Sequence, residues 1–142
     1  MKRSTMRTAA KVLTASAAAV GLAVGFTGQA AASSSVEMTA YSPDGSVGGY
    51  GYFNADPSGS IPGDAIQACD VKADGIGIEV RMDIDPGSSW HTDRTASTRG
   101  HDSPYCSPWK SGNIAENTLV GLKICVVKGS WEDCSPVRYA RA

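Results

Sequence analysis

The sequence predicts an all-β fold, a small antiparallel two-layer β-sandwich with a small β-barrel as the alternative, closed by two disulfides. Three observations carry this expectation. Residues 76–84 and Leu119–Lys128 alternate apolar and polar side chains with a period of two, the signature of strands with one face in a core. Four cysteines, Cys69, Cys106, Cys125 and Cys134, make an even count in a chain that opens like an exported protein, which favours disulfides over metal ligation. Beyond residue 33 no amphipathic helix is legible, and turn residues separate short apolar runs about every 8 to 12 positions.

The 142-residue chain begins with Lys2, Arg3, Arg7 and Lys11, followed by an uncharged run over residues 12–26. That run is shorter than the ~20 residues needed to span a bilayer. The polar break Thr27-Gly28-Gln29 leads into Ala30, Ala31 and Ala32, small residues of the kind a signal peptidase accepts. Residues 1–32 therefore read as a signal peptide cleaved after Ala30 or Ala32, and residues 33–142 as a single secreted, extracellular β domain. No second apolar run is present to anchor it in a membrane. Loss of the four leading cations leaves nine basic against fourteen acidic groups, a formal charge of −5. That balance provides no electrostatic footprint for nucleic acid or an anionic membrane.

Val36–Tyr41 and residues 48–54 (GGYGYFN) are weaker strand signals, with turn-rich pieces at 42–46 and 55–63. Around Cys69, Asp74-Gly75 reads as a type I′ hairpin turn, which pairs Val71 with Ile78 and Cys69 with Val80 and buries Cys69. In the strand that follows, Ile76, Ile78, Val80, Met82 and Ile84 face the core, and Gly77, Glu79, Arg81 and Asp83 face water. The same register sets Asp70 opposite Glu79 on the wet face, with Lys72 and Arg81 to compensate. A strand at 89–98 is a further possibility, and seven or so strands are expected in all. Leu119–Lys128 directs Val120, Leu122, Ile124 and Val126 inward and Lys123 outward. A two-residue type II′ turn at Gly129-Ser130 sets Lys128 against Trp131, Val127 against Glu132, Val126 against Asp133 and Cys125 against Cys134. Counted from the turn, the two cysteines form a non-hydrogen-bonded pair about 4.5 Å apart at Cα, within disulfide range. Cys69 and Cys106 are left to each other, and their bond would pin the long segment 100–118 to the core.

Disulfide pairing removes the cysteines from nucleophilic chemistry, and the remaining candidates are thin. His91, Asp93, His101, Asp102 and Ser103 are the ingredients of a Ser/His/Asp triad. Triad members, however, converge from separate elements rather than lie side by side in sequence, and no G-x-S-x-G elbow is present. Asn54, Asp56 and Ser58 before Gly59 open like a calcium loop, but its twelfth position is Ala65 where a bidentate Glu is needed. No catalytic residue, metal or cofactor is expected. Aromatic residues exceed what a small core needs: Trp90, Trp109, Trp131, Tyr50, Tyr52, Tyr105 and Tyr139. Exposed aromatics stack on sugar rings or anchor protein partners. Tyr105 and Trp109, beside Cys106 in the long loop, and Trp131 are the candidate binding residues.

The string Cys69-Asp70-Val71-Lys72-Ala73-Asp74-Gly75, with Cys125-Val126-Val127-Lys128-Gly129 and the late Cys134, resembles a group of small exported actinobacterial, Streptomyces-like two-disulfide β proteins. The resemblance spans residues 59–142 and implies export and fold, since that group has no assigned activity. Actinomycete subtilisin inhibitors are similar in size, export and disulfide number, but their Met-Cys-Pro inhibitory segment has no counterpart here. The expected function is a non-catalytic extracellular binding module, monomeric, for a protein, glycan or cell-wall surface. A secreted inhibitor or toxin-like effector is the alternative.

Overall fold

Nine strands form two antiparallel sheets in the computed structural model, which describes residues 33–142. The signal-peptide expectation lies outside the described residues. The first sheet, in the order β1-β2-β3-β6, contains β1 (Val36–Tyr41), β2 (Val47–Asn54), β3 (Ala65–Asp70) and β6 (Tyr105–Cys106). The second, in the order β5-β4-β7-β8, contains β4 (Gly77–Ile84), β5 (Arg94–Ser97), β7 (Leu119–Lys128) and β8 (Trp131–Cys134). The last strand, β9 (Arg138–Arg141), pairs with the first half of β7 while β8 pairs with the second half. Ser135 bridges the gap between them, its amide donating to the Ile124 carbonyl and its hydroxyl accepting from the Ile124 amide.

The inward faces interlock as the alternation dictates. Met38, Phe53, Ile66 and Ala68 of the first sheet pack on Ile78, Val80, Met82, Leu122, Ile124 and Val126 of the second, all essentially buried. Close approach of the sheets depends on glycine in β2. A Cβ on Gly51 would lie 2.5 Å from Val80 Cγ2 and 3.0 Å from Ile124 Cδ1, and one on Gly49 would lie 2.5 Å from Ile78 Cγ1. These distances are inside van der Waals contact, so the layers could not sit this close with side chains there.

The C-terminal hairpin has the expected register, from Lys128↔Trp131 to Cys125↔Cys134. Gly129 has φ +58, which suits the first central position of a type II′ turn. Both disulfides form as read from the sequence, Cys69–Cys106 and Cys125–Cys134. The first joins β3 to β6 across Cys69↔Cys106 and holds the long segment 100–118 against the sheet.

Three expectations are corrected. Asp74-Gly75 is not a hairpin turn: β3 and β4 belong to different sheets, so this segment crosses between layers. Both edges of each strand are already taken, β3 by β2 and β6, and β4 by β5 and β7, so the two cannot pair with each other. Asp74 stabilises the crossing, accepting from the Ile76 amide and the Ser42 hydroxyl. Cys69 is buried as expected, but Val71, without its partner Ile78, is 47% exposed.

The second correction is that the outer face of the second sheet is not wet. Glu79 and Asp83 are buried and Arg81 and Lys123 are half-buried, because the chain folds back over that face. Glu79 Oε2 accepts from Arg81 Nη2 at 2.7 Å, and its Oε1 accepts from Arg99 Nε at 2.7 Å and Ser97 Oγ at 3.1 Å. Arg81 also grips Glu132 of β8 with two parallel bonds, Nη1 to Oε1 at 3.1 Å and Nη2 to Oε2 at 2.5 Å. Asp83 accepts from the His91 amide, and Trp90 lies over Gly121 with the Lys123 ammonium 4.1 Å from its ring centroid. Asp70, expected opposite Glu79, is instead buried in the first sheet and accepts from the Lys72 amide. Lys72 pairs with Asp44 and Asp74. Third, nine strands replace the expected seven or so, since the two-residue β6 and the mostly exposed β9 have too little alternation to be seen in sequence.

Candidate functional site

Glycines facing inward from β2 require the residues between them to face outward. Tyr50 and Tyr52 consequently stand half-buried on the outer face of the first sheet. Tyr52 lies across from Glu37 of β1 on one side and Gln67 of β3 on the other, a row of three side chains on one face. Trp109 joins them from beyond β6, its ring centroid 6.5 Å from that of Tyr52 at an interplanar angle of 52°.

The position of Trp109 is set by backbone on both sides of it. Ser107 donates its amide to the Ala68 carbonyl, and Lys110 and Ile66 exchange amide-to-carbonyl bonds at 2.9 and 3.0 Å, extending the β6 pairing along β3. The Cys69–Cys106 disulfide closes the same segment covalently. The result is an open groove of about 570 Å³ with Tyr52 and Trp109 as aromatic walls, lined also by Glu37, Asn54, Ile61, Gln67 and the disulfide.

Polar groups in the groove include acceptors and a hydroxyl donor. Gln67 donates its amide nitrogen to the Ser107 carbonyl at 2.9 Å, which leaves its own carbonyl oxygen to accept. The Tyr52 phenol is pushed above its ordinary pKa, first by burial and then by the charge of Glu37. The groove offers aromatic faces for stacking and hydrogen-bonding groups beside them.

The three binding candidates read from the sequence do not converge. Trp109 belongs to the groove. Tyr105 stacks on His101 with ring centroids 3.9 Å apart and planes 11° from parallel. Trp131 stands 45% exposed at the start of β8, across from Lys128. Tyr52 counted among the surplus aromatics without being singled out. The signal for it was present in Gly49-Tyr50-Gly51-Tyr52, where alternate glycines leave the tyrosines the only side chains to present outward.

The triad ingredients are also dispersed. His91 is exposed and faces Asp93, Nε2 to Oδ1 at 3.4 Å. His101, Asp102 and Ser103 line a polar cleft of about 610 Å³ at one end of the sandwich, along with Arg99 and Lys128. The calcium-loop residues are used otherwise: Asn54 donates to the Asp56 and Pro62 carbonyls, and Asp56 accepts from Ser33. Among the described residues, no three of His, Cys, Asp and Glu are grouped to hold a metal ion, and no helix is long and apolar enough to cross a membrane. No protein family, curated protein or solved structure matches this chain.

Proposed function

We propose that this chain is a secreted, monomeric, non-catalytic binding module that takes a pyranose ring of an extracellular or cell-wall glycan in the Tyr52–Trp109 groove. The observation that carries the proposal is the pair of aromatic walls on a rigid sheet face with hydrogen-bonding side chains beside them. The apolar face of a pyranose stacks on such rings while its hydroxyls reach Glu37, Gln67 and the Tyr52 phenol. Both walls are preorganised, Tyr52 by strand pairing on two sides and Trp109 by the β3 hydrogen bonds and the disulfide, so little ordering entropy opposes binding. Export is supported by the two disulfides, by the leading residues 1–32 and by the resemblance to small exported actinobacterial proteins.

An inhibitory loop draws less support, because a loop presented to a protease needs its backbone free. The backbone on either side of Trp109 is committed to β3. The non-catalytic reading is supported by the absence, among the described residues, of a serine or threonine hydroxyl hydrogen-bonded to either imidazole: His91 faces Asp93 and His101 stacks on Tyr105.

The test is titration of the oxidised protein with soluble cell-wall and plant oligosaccharides, followed by tryptophan fluorescence and calorimetry. Trp109→Ala and Tyr52→Ala, with folds verified by circular dichroism, should each weaken binding by about tenfold or more, equivalent to ~1.4 kcal/mol. Tyr105→Ala and Trp131→Ala should leave it unchanged. Full binding by both groove variants, or capture of a protein partner with no glycan bound, refutes the proposal.

A further inference from the structure

We infer that Glu37 makes the groove selective for amine-bearing sugars of the glucosamine type over neutral sugars, and hostile to uronic acids. This rests on the glycan-binding reading and names the class of ligand for the same site. Eleven residues line the groove, and Glu37 is the one whose side chain is charged at neutral pH. Its carboxylate enters no ion pair and no side-chain hydrogen bond among the described residues; Arg138 donates instead to the Glu37 backbone carbonyl at 2.9 Å.

Glu37 and Tyr52 are direct cross-strand partners, which places their Cβ atoms about 5 Å apart on one face. The negative charge therefore stands at the edge of the aromatic surface. Two attractions then favour the same ligand: the carboxylate attracts an ammonium group, and the faces of Tyr52 and Trp109, negative by their quadrupole, attract it as well. A uronate carboxylate placed there meets like charge and the negative faces of both rings. A neutral pyranose keeps the stacking and forgoes the charge term.

A lysine side chain on a protein surface has the same ammonium chemistry. The groove volume of about 570 Å³ exceeds what a single alkyl chain fills, and Gln67 and the Tyr52 phenol beside Glu37 suit ring hydroxyls. These features favour the amino sugar.

The experiment compares three probes on the oxidised full protein by calorimetry: a glucosamine hexamer, cellohexaose and a galacturonate hexamer. The buffer is acidic enough to keep the amines protonated and low in salt. The glucosamine hexamer should bind about five- to tenfold more tightly than cellohexaose, and the galacturonate hexamer more weakly than either. Glu37→Gln should erase the preference, bringing the glucosamine hexamer down to the affinity that cellohexaose shows for the same variant, and raising salt should shrink it in the unmodified protein. Equal binding of the glucosamine and neutral hexamers, or a preference that survives Glu37→Gln, overturns the inference and leaves the aromatic glycan site standing. No binding of any hexamer, with retention of a lysine-rich peptide instead, overturns both.

Discussion

Replacing Glu79 by Ala tests whether the outer face of the second sheet is a wet surface or a covered ionic layer. The Glu79 side chain is 9% exposed and accepts hydrogen bonds from Arg81, Arg99 and Ser97. Removing one partner of a fully buried pair costs about 3–5 kcal/mol, because the remaining charge is stranded in low dielectric. Here the stranding is incomplete. Arg81 keeps its two bonds to Glu132, and the Arg99 side chain is 39% exposed and can turn to water. A loss of ~2 kcal/mol follows, which at ~1–2 kcal/mol per molar urea for a domain of this size lowers the unfolding midpoint by about 1–2 M. Glu132→Ala, at the half-exposed end of the same network, should lower the midpoint by clearly less, because solvent screens that pair.

The same carboxyl has a pH signature. Burial pushes the Glu79 pKa up, but the hydrogen bonds and charges of Arg81 and Arg99 outweigh it and hold the group below its ordinary value. A carboxyl whose pKa is lower folded than unfolded stabilises the protein above its unfolded value. That stability is lost as pH falls through the ordinary carboxylate range towards the folded value. Urea unfolding of Glu79→Gln and the unmodified protein should therefore converge as pH drops from about 5 to 3. Equal midpoints for Glu79→Ala and Glu132→Ala at neutral pH would refute the reasoning and restore the wet face that alternation alone implies.

Three further outcomes are expected. Gly51→Ala sets a methyl against Val80 and Ile124 and should destabilise by about 1–3 kcal/mol in urea unfolding, whereas Gly87→Ala, with open space around it, should stay within ~0.5. Non-reducing peptide mapping should recover Cys69 joined to Cys106 and Cys125 joined to Cys134; chain entropy values these closures at about 3.9 and 2.7 kcal/mol, so the variant lacking the first pair should melt lower, and a Cys69 to Cys125 peptide would be the contrary result. Intact-mass measurement of protein from culture fluid should show a chain beginning between Ala31 and Ser34, and a product retaining Met1 would contradict export.

What the sequence determined by itself is local in origin. Alternation in β4 and β7 identified Ile78, Val80, Leu122, Ile124 and Val126 as core, because a period of two admits one buried side per strand. The Gly129-Ser130 turn counted the C-terminal register outward to Cys125 and Cys134, because a two-residue hairpin leaves the pairing no freedom. Exclusion then assigned the other disulfide. Tertiary structure decided what depends on segments remote in the chain. Whether Asp74-Gly75 closes a hairpin or carries the chain between layers turns on which strands claim the edges of β3 and β4, and β2, β6, β5 and β7 do. Glu79 is buried because Arg99, twenty residues on, and Glu132 beyond it fold over a face that alternation could label only as polar. Polar and exposed coincide in a lone sheet, and they separate once a second layer of charge covers it. The groove arises in the same way: Tyr52 and Trp109 lie 57 positions apart in the sequence, and they meet because β6 and the disulfide carry Trp109 back across β3 to the row that Tyr52 already occupies.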